Sequence, residues 1–225
     1  MSRVFAPGCA LMLYKPRLAE KLGAHLSQSG GGTEPSLVCC RHFPPYPGGT
    51  EIVNVCPGCD RRYRENYPAC ATVSLWEVLA REDGFPLPDY GGQVMTILDA
   101  CPTRERPGVH DALRALIARM NITLTEPRLT RERSVCCGDS FWGELPEVQV
   151  VRQMERRAAQ MPREDVIVYC VSCVQAMAIG GRRPRYMVDL VFGEATIPRK
   201  AGLAPWHAEL DAYIESHSWE GGPSA

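Results

Sequence analysis

Ten cysteines of this chain fall into two sets of five with the same internal order. Cys9 stands alone, Cys39-Cys40 are adjacent and Cys56-x-x-Cys59 follows; further on, Cys101 stands alone, Cys136-Cys137 are adjacent and Cys170-x-x-Cys173 follows. Cys70, the eleventh, lies outside the pattern and is expected to be an inert buried thiol. Thiolates select zinc, copper(I) or iron-sulfur clusters, and a closed zinc site takes four ligands. Five thiols per set exceed that number. Adjacent cysteines also diverge in extended backbone, which suits a cofactor of several metal atoms better than one small ion. An odd cysteine count in a chain without a secretory signal argues against structural disulfides.

A duplicated unit is needed to position these sulfurs, and the residues around them repeat as well. Val4-Phe5-Ala6 leads into Cys9 as Ile97-Leu98-Asp99 leads into Cys101. Residues 52–55 run into Cys56 as residues 166–169 run into Cys170, each a short apolar strand delivering cysteines at its carboxyl end. Residues 74–79 have their counterpart in 186–191. Helices are expected between the strands: residues 15–28 place Leu18, Leu22 and Leu26 four apart, and Val109, Leu113, Leu116, Ile117 and Met120 form a stronger stripe after Cys101. A further helix over 147–160, with Val148, Val151, Met154 and Ala158 on one face, precedes Cys170. The first copy lacks it, because its stretch 41–49 holds three prolines and two glycines and reads as a loop. A last amphipathic helix over 205–217 carries Trp206, Leu210, Tyr213 and Ile214 on one face, and is expected to dock back on the chain or to hold a partner.

Alternating strands and helices predict an α/β fold of two pseudo-symmetric repeats, each a small, mostly parallel sheet with flanking helices. Residues 1–90 form the first, shortened repeat, 91–195 the second, and 196–225 a C-terminal helix and flexible tail. In open parallel sheets ligands collect beyond the carboxyl ends of the strands, where these cysteines are expected.

At 225 residues and 45% hydrophobic, the chain has enough apolar mass to bury a core without staples. Its 25 basic and 26 acidic side chains leave a formal charge of -1, so no general field recruits nucleic acid or acidic lipid. No apolar run approaches the roughly 18 to 20 residues of a membrane span, and the opening residues hold too short an apolar stretch for a secretory signal. A cytoplasmic protein is expected.

The order Cys101, Cys136-Cys137-Gly138, Cys170-x-x-Cys173 resembles the cysteine-rich CCG domain, which occurs twice in the catalytic B subunit of heterodisulfide reductase and in related oxidoreductase subunits. The likeness spans about residues 3–195. In the second copy, segments 102–135 and 138–169 separate the three cysteine elements, close to the family pattern; in the first copy segments 10–38 and 41–55 are shorter, and Arg41 stands where the family has glycine. The resemblance implies a noncubane 4Fe-4S cluster on Cys101, Cys136, Cys137, Cys170 and Cys173. It implies the same cofactor on Cys9, Cys39, Cys40, Cys56 and Cys59, with zinc or another cluster type as the alternative at this shortened copy. The implied activity is that of an oxidoreductase acting on sulfur groups, or of a subunit of one. A small-molecule disulfide would be reduced to thiols at the cluster with electrons from an iron-sulfur or flavoprotein partner.

Two other functions are compatible with the same residues: an electron-relay subunit of a larger quinone- or flavin-linked oxidoreductase, and a zinc-stabilised binding module without redox chemistry. His42 and His110 are candidates for donating protons to a leaving thiolate, beside the default of packing or surface residues. Arg61-Arg62-x-Arg64 and Arg182-Arg183-x-Arg185 each follow a C-x-x-C, and either hold anionic groups of a thiol cofactor or are solvated surface charge. Trp76 and Trp142 are expected in core packing, with a place at the cofactor pocket as the alternative.

Overall fold

The computed structural model describes residues 2–29, 32–199 and 202–218. The protein is α/β, with two four-stranded, all-parallel sheets flanked by helices in two similar repeats. The first runs β1 (Arg3–Ala6), α1 (Cys9–Tyr14), α2 (Pro16–Ser29), β2 (Thr33–Pro35), β3 (Glu51–Asn54), α3 (Pro57–Asn66), β4 (Ala71–Ser74) and α4 (Leu75–Arg81). The second runs β5 (Val94–Ile97), α5 (Pro107–Arg119), β6 (Thr123–Thr125), α6 (Glu147–Ala159), β7 (Asp165–Val168), α7 (Val171–Ile179), β8 (Arg183–Tyr186) and α8 (Met187–Val191); α9 (Leu203–Ser216) follows.

The strand orders are β2-β1-β3-β4 and β6-β5-β7-β8. Arg3–Ala6 lie in parallel register with Glu51–Asn54, and Asp165–Val168 with Arg183–Tyr186. In each sheet the order reverses beside the first strand, between β1 and β3 and between β5 and β7. Connections leave such a point in opposite directions and open a crevice at the carboxyl ends of the two strands. The central strands are apolar because both their faces are covered: Ile52, Val53, Val166, Ile167 and Val168 are fully buried. Four strands escaped the sequence reading: β4 and β8, which segments 74–79 and 186–191 reach only at the strands' last residues, Ser74 and Tyr186, and β2 and β6. β2 and β6 have three residues each, Thr-Glu-Pro and Thr-Leu-Thr, too few and too polar to show a period.

Leu18, Leu22 and Leu26 of α2 are fully buried, as their spacing predicts, and α5 buries Val109, Leu113, Leu116 and Ile117. The expected face of α6 needs correction. Val148 is 58% exposed, and the buried side is Val150, Met154, Arg157 and Ala158. An arginine inside the inward stripe hid the true phase. Residues 74–79 and 186–191 are the junctions where β4 passes into α4 and β8 into α8. The stretch 41–49 is mostly loop, with a 3-10 turn over Cys40–His42.

Two compact units emerge, Met1–Leu75 with Pro205–Ala225, and Trp76–Ala204. The division thus falls at residue 75 rather than near 90, because α4 packs in the second unit: Arg106 Nη2 lies 2.8 Å from Glu77 Oε2, and Arg119 donates to the Leu79 carbonyl. Residues 196–204 also stay with the second unit, where the Arg199 amide donates to Gln175 Oε1 at 2.9 Å. The tail from residue 219 on lies outside the described residues.

Gly138 shows why the two copies differ after the adjacent cysteines. Its φ is +115°, and a Cβ there would stand 2.7 Å from Met154 Cγ and 2.9 Å from the Met154 amide nitrogen of α6. Only glycine lets α6 lie on this turn. In the first copy no helix lies between Cys40 and β3, and Arg41 sits in the 3-10 turn without meeting that constraint. Gly138→Ala is therefore expected to lose about 2–4 kcal/mol, combining backbone strain with overpacking. Urea denaturation checks this; a loss within about 0.5 kcal/mol, the range of a neutral surface change, would refute the close approach.

Candidate functional site

Each unit gathers its five cysteines at the crevice end of its sheet. Cys9 opens α1 just after β1, Cys39 and Cys40 follow β2, and Cys56 and Cys59 lie at the start of α3 after β3. Cys101 follows β5 in a 3-10 turn, Cys136 and Cys137 follow β6, and Cys170 and Cys173 lie at the start of α7 after β7. Cys56 and Cys170 are the residues capping their helices, so Cys59 and Cys173 fall in first turns, where free amides favour negative charge on sulfur. Gly8 serves this convergence with φ +84°, and a Cβ there would come within 3.1 Å of Cys56 Cβ.

The sulfurs neighbour one another in the same order in both units. Electrostatic coupling runs Cys9, Cys39, Cys40, Cys59, Cys56 in the first and Cys101, Cys136, Cys137, Cys173, Cys170 in the second. The Cys40 and Cys59 sulfurs are 3.4 Å apart. The leading cysteine of each adjacent pair accepts the amide two residues on, Cys39 from Arg41 at 3.5 Å and Cys136 from Gly138 at 3.3 Å. Cys136 Sγ also lies 2.9 Å from Ser140 Oγ.

These contacts divide the thiols into donors and acceptors. Cys39, accepting from Cys40 and Cys9, is lowered to about 3, and Cys56, accepting from Cys59, to about 7. Cys40 is pushed up to about 12 by its bond to Cys39, and Cys9 and Cys59 rise for the same reason, with burial adding to it. In the second unit Cys136, accepting from Cys101 and Cys137, is held far below the usual thiol range, while Cys101, Cys137 and Cys173 are raised. Among the described residues no three His, Cys, Asp or Glu side chains are arranged to hold one metal ion.

The surroundings of the two sets differ. The first is packed in Ala6, Ile52, Tyr63 and Ile214, with Tyr46, Tyr67, Leu210 and Tyr213 at its edge. Tyr46, Tyr63 and Tyr67 stand with ring centroids 5.5–5.8 Å apart. The terminal helix α9 docks here: the Cys39 amide donates to the His217 carbonyl at 3.1 Å, and His42 Nε2 lies 2.8 Å from the Ile214 carbonyl. Of the two roles expected for that helix, docking on the chain is the one seen. A cleft of about 360 Å³ in the same unit is lined by Phe5, Met12, Gly23, Pro35 and Leu37 among others, and by none of the five cysteines.

Polar groups support the second set. Asp99, fully buried, accepts from Arg114 Nη1 and Nη2 at 2.9 and 2.8 Å, from Thr130 Oγ1 at 2.9 Å and from the Arg131 amide at 2.7 Å. Burial pushes its carboxyl up, but the Arg114 fork and the amide prevail and hold it at about 2. Tyr169 Oη accepts the Ala100 amide at 2.8 Å and meets Thr103 Oγ1 at 2.8 Å, and Thr103 in turn meets His110 Nε2 at 3.1 Å. Asp99, Tyr169 and Arg157 were not singled out from sequence. Asp99 and Tyr169 had one signal, an acidic or hydroxylated residue at the end of an apolar run, which strand ends often carry; Arg157, inside α6, had none.

The remaining candidates are placed as follows. His110 is buried at 1% exposure behind Cys101, and burial lowers its affinity for a proton. His42 borders the first set, with its ring committed to α9. Cys70 is half-buried rather than buried, donates to the Pro47 carbonyl, and packs at the edge of the first set's cluster without joining the five. Trp76 is a core residue at 1% exposure, and Trp142 is half-buried. Arg64 pairs with Asp60, Arg183 and Arg185 with Asp165, and Arg182 with the Ala158 carbonyl, so these arginines hold the fold together. No helix among the described residues is long and apolar enough to cross a membrane. A scan against protein-family models and a search of curated proteins find no match to this chain.

Proposed function

We propose that the chain is an iron-sulfur redox protein in which each set of five cysteines holds a noncubane 4Fe-4S cluster. The observation that carries this reading is the gathering of five cysteines, in one order, at the topological switch of both sheets. The donor set fits the group. All ten are soft sulfur donors, two helix starts favour negative charge, and five sulfurs per set exceed what one tetrahedral ion accepts. The likeness to CCG domains points the same way.

When bound, the clusters would supply electrons to a small-molecule disulfide, which takes up two electrons and two protons as its S–S bond breaks into two thiols. The electrons come from an iron-sulfur or flavoprotein partner. The chain's own residues ligate, orient and exclude water. The cysteines bound to iron give up the protons they share, so loading is favoured as pH rises.

Anaerobic purification with iron, zinc and acid-labile sulfide analysis tests the reading. A brown protein with about four irons and four sulfides per set is expected. Colourless protein with one zinc per set would establish the binding module instead. Reduction of a model disulfide by the isolated, chemically reduced chain then separates a reductase from a relay subunit.

A further inference from the structure

Arg157 is 2% exposed, yet among the described residues no carboxylate forms an ion pair with it. Nη1 donates to Gln160 Oε1 at 2.8 Å, and Nη2 to the Leu129 carbonyl at 2.9 Å and to Ser134 Oγ at 3.3 Å. Nε is buried without a hydrogen-bond partner. All three acceptors are neutral, so they orient the guanidinium without cancelling it. A buried charge left in that state costs several kcal/mol unless an anion stands near. Asp99, a carboxylate that acts on it, is already bound by Arg114. The sulfurs of Cys173 and Cys137 act on it more strongly, and its bond to Ser134 Oγ holds it two residues from Cys136 along the chain.

The helix that carries Arg157 is the one the first copy lacks. α6 rests on the turn after Cys137 through Met154 at Gly138, and its last turn meets α7 through Ala158 at Gly180. Arg157 lies between these two contacts on the buried face. The first set has isoleucine, tyrosine and the α9 side chains in this role, a low-dielectric wall that opposes added negative charge, with the imidazole of His42 beside Cys39 in place of a permanently charged guanidinium.

We propose that Arg157 is the fixed counter-charge of the second set and makes the two centres inequivalent, so that electrons from a low-potential one-electron donor settle on the second centre first. This rests on the iron-sulfur reading. Adding an electron makes a thiolate-ligated centre more negative, and a nearby buried cation stabilises the reduced form over the oxidised one. Arg157 is thus a positioning and tuning residue, with no contact to substrate required of it.

The test is a potentiometric titration of the anaerobically prepared full chain, followed by electron paramagnetic resonance, with iron and sulfide measured in parallel. Wild type is expected to show two reduction waves. R157Q should move the higher wave down toward the lower and leave the lower in place, while R157K restores most of the separation. If R157Q does not fold, R157M carries the same test, since it removes the charge at similar length. Full iron with both waves unmoved, or both moved alike, overturns the proposal and leaves the iron-sulfur reading intact. A folded variant that loses iron from the second centre alone overturns it as well, since that marks a structural role. A wild-type chain without polynuclear iron brings down the iron-sulfur reading and this inference with it.

Discussion

Cys40→Ser and Cys137→Ser are each expected to remove about half of the iron, sulfide and visible absorbance of the anaerobically prepared protein, and Cys70→Ser none. Cys40 and Cys137 are the middle members of their sets, each coupled to a thiol on either side. Serine is close in size but a hard donor, so the change removes a soft ligand at the point that joins the two ends of the set. Cys70 sits outside both sets on the Pro47 carbonyl. The experiment distinguishes the copies. If Cys137→Ser removes all of the iron and Cys40→Ser leaves it untouched, the shortened first copy holds something else, and zinc analysis of the wild-type chain would show what.

Asp99→Asn should cost about 2–3 kcal/mol, because it weakens the charge-assisted bonds of a largely buried guanidinium that keeps only the half-exposed Glu126 as its carboxylate partner. Arg114 is 13% exposed in its side chain and Asp99 not at all, and the carboxylate also receives Thr130 Oγ1 and the Arg131 amide. The same ion-pair chemistry at the surface gives a control. Asp111 pairs with Arg131 at 2.7 Å, with side chains 68% and 36% exposed, so Asp111→Asn should cost less than about 1 kcal/mol. Denaturant unfolding of the two variants side by side reads the difference. Equal, small losses would mean that the Asp99 network contributes no more than an exposed pair.

The sequence carried much of the architecture because the repeat is written in covalent spacing. A parallel strand covered on both faces must be apolar, so residues 52–55 and 166–169 announced themselves, and each ended at a C-x-x-C. Leucines four apart in α2 could face only one way. These are local rules, and local rules are legible. The short strands β2 and β6 were not, since three residues show no period and their pairing is decided by neighbours in the sheet. The phase of α6 was misread for a related reason: its inward face includes Arg157, and an arginine is drawn as solvent-facing unless something distant accounts for its burial.

Cysteine order alone determined that ten sulfurs form two equivalent sets. That each set is gathered in one place, with Cys40 against Cys59 and Cys137 coupled to Cys173, was decided only when β1 and β3, and β5 and β7, came together with their carboxyl ends adjacent. Tertiary packing also decided what surrounds each set: tyrosines and the terminal helix α9 at the first, Asp99 and Arg157 near the second. The physical reason is range. Strand and helix patterns arise from neighbours a few residues apart, whereas the charge and polarity at a sulfur come from side chains that lie far off along the chain until it folds.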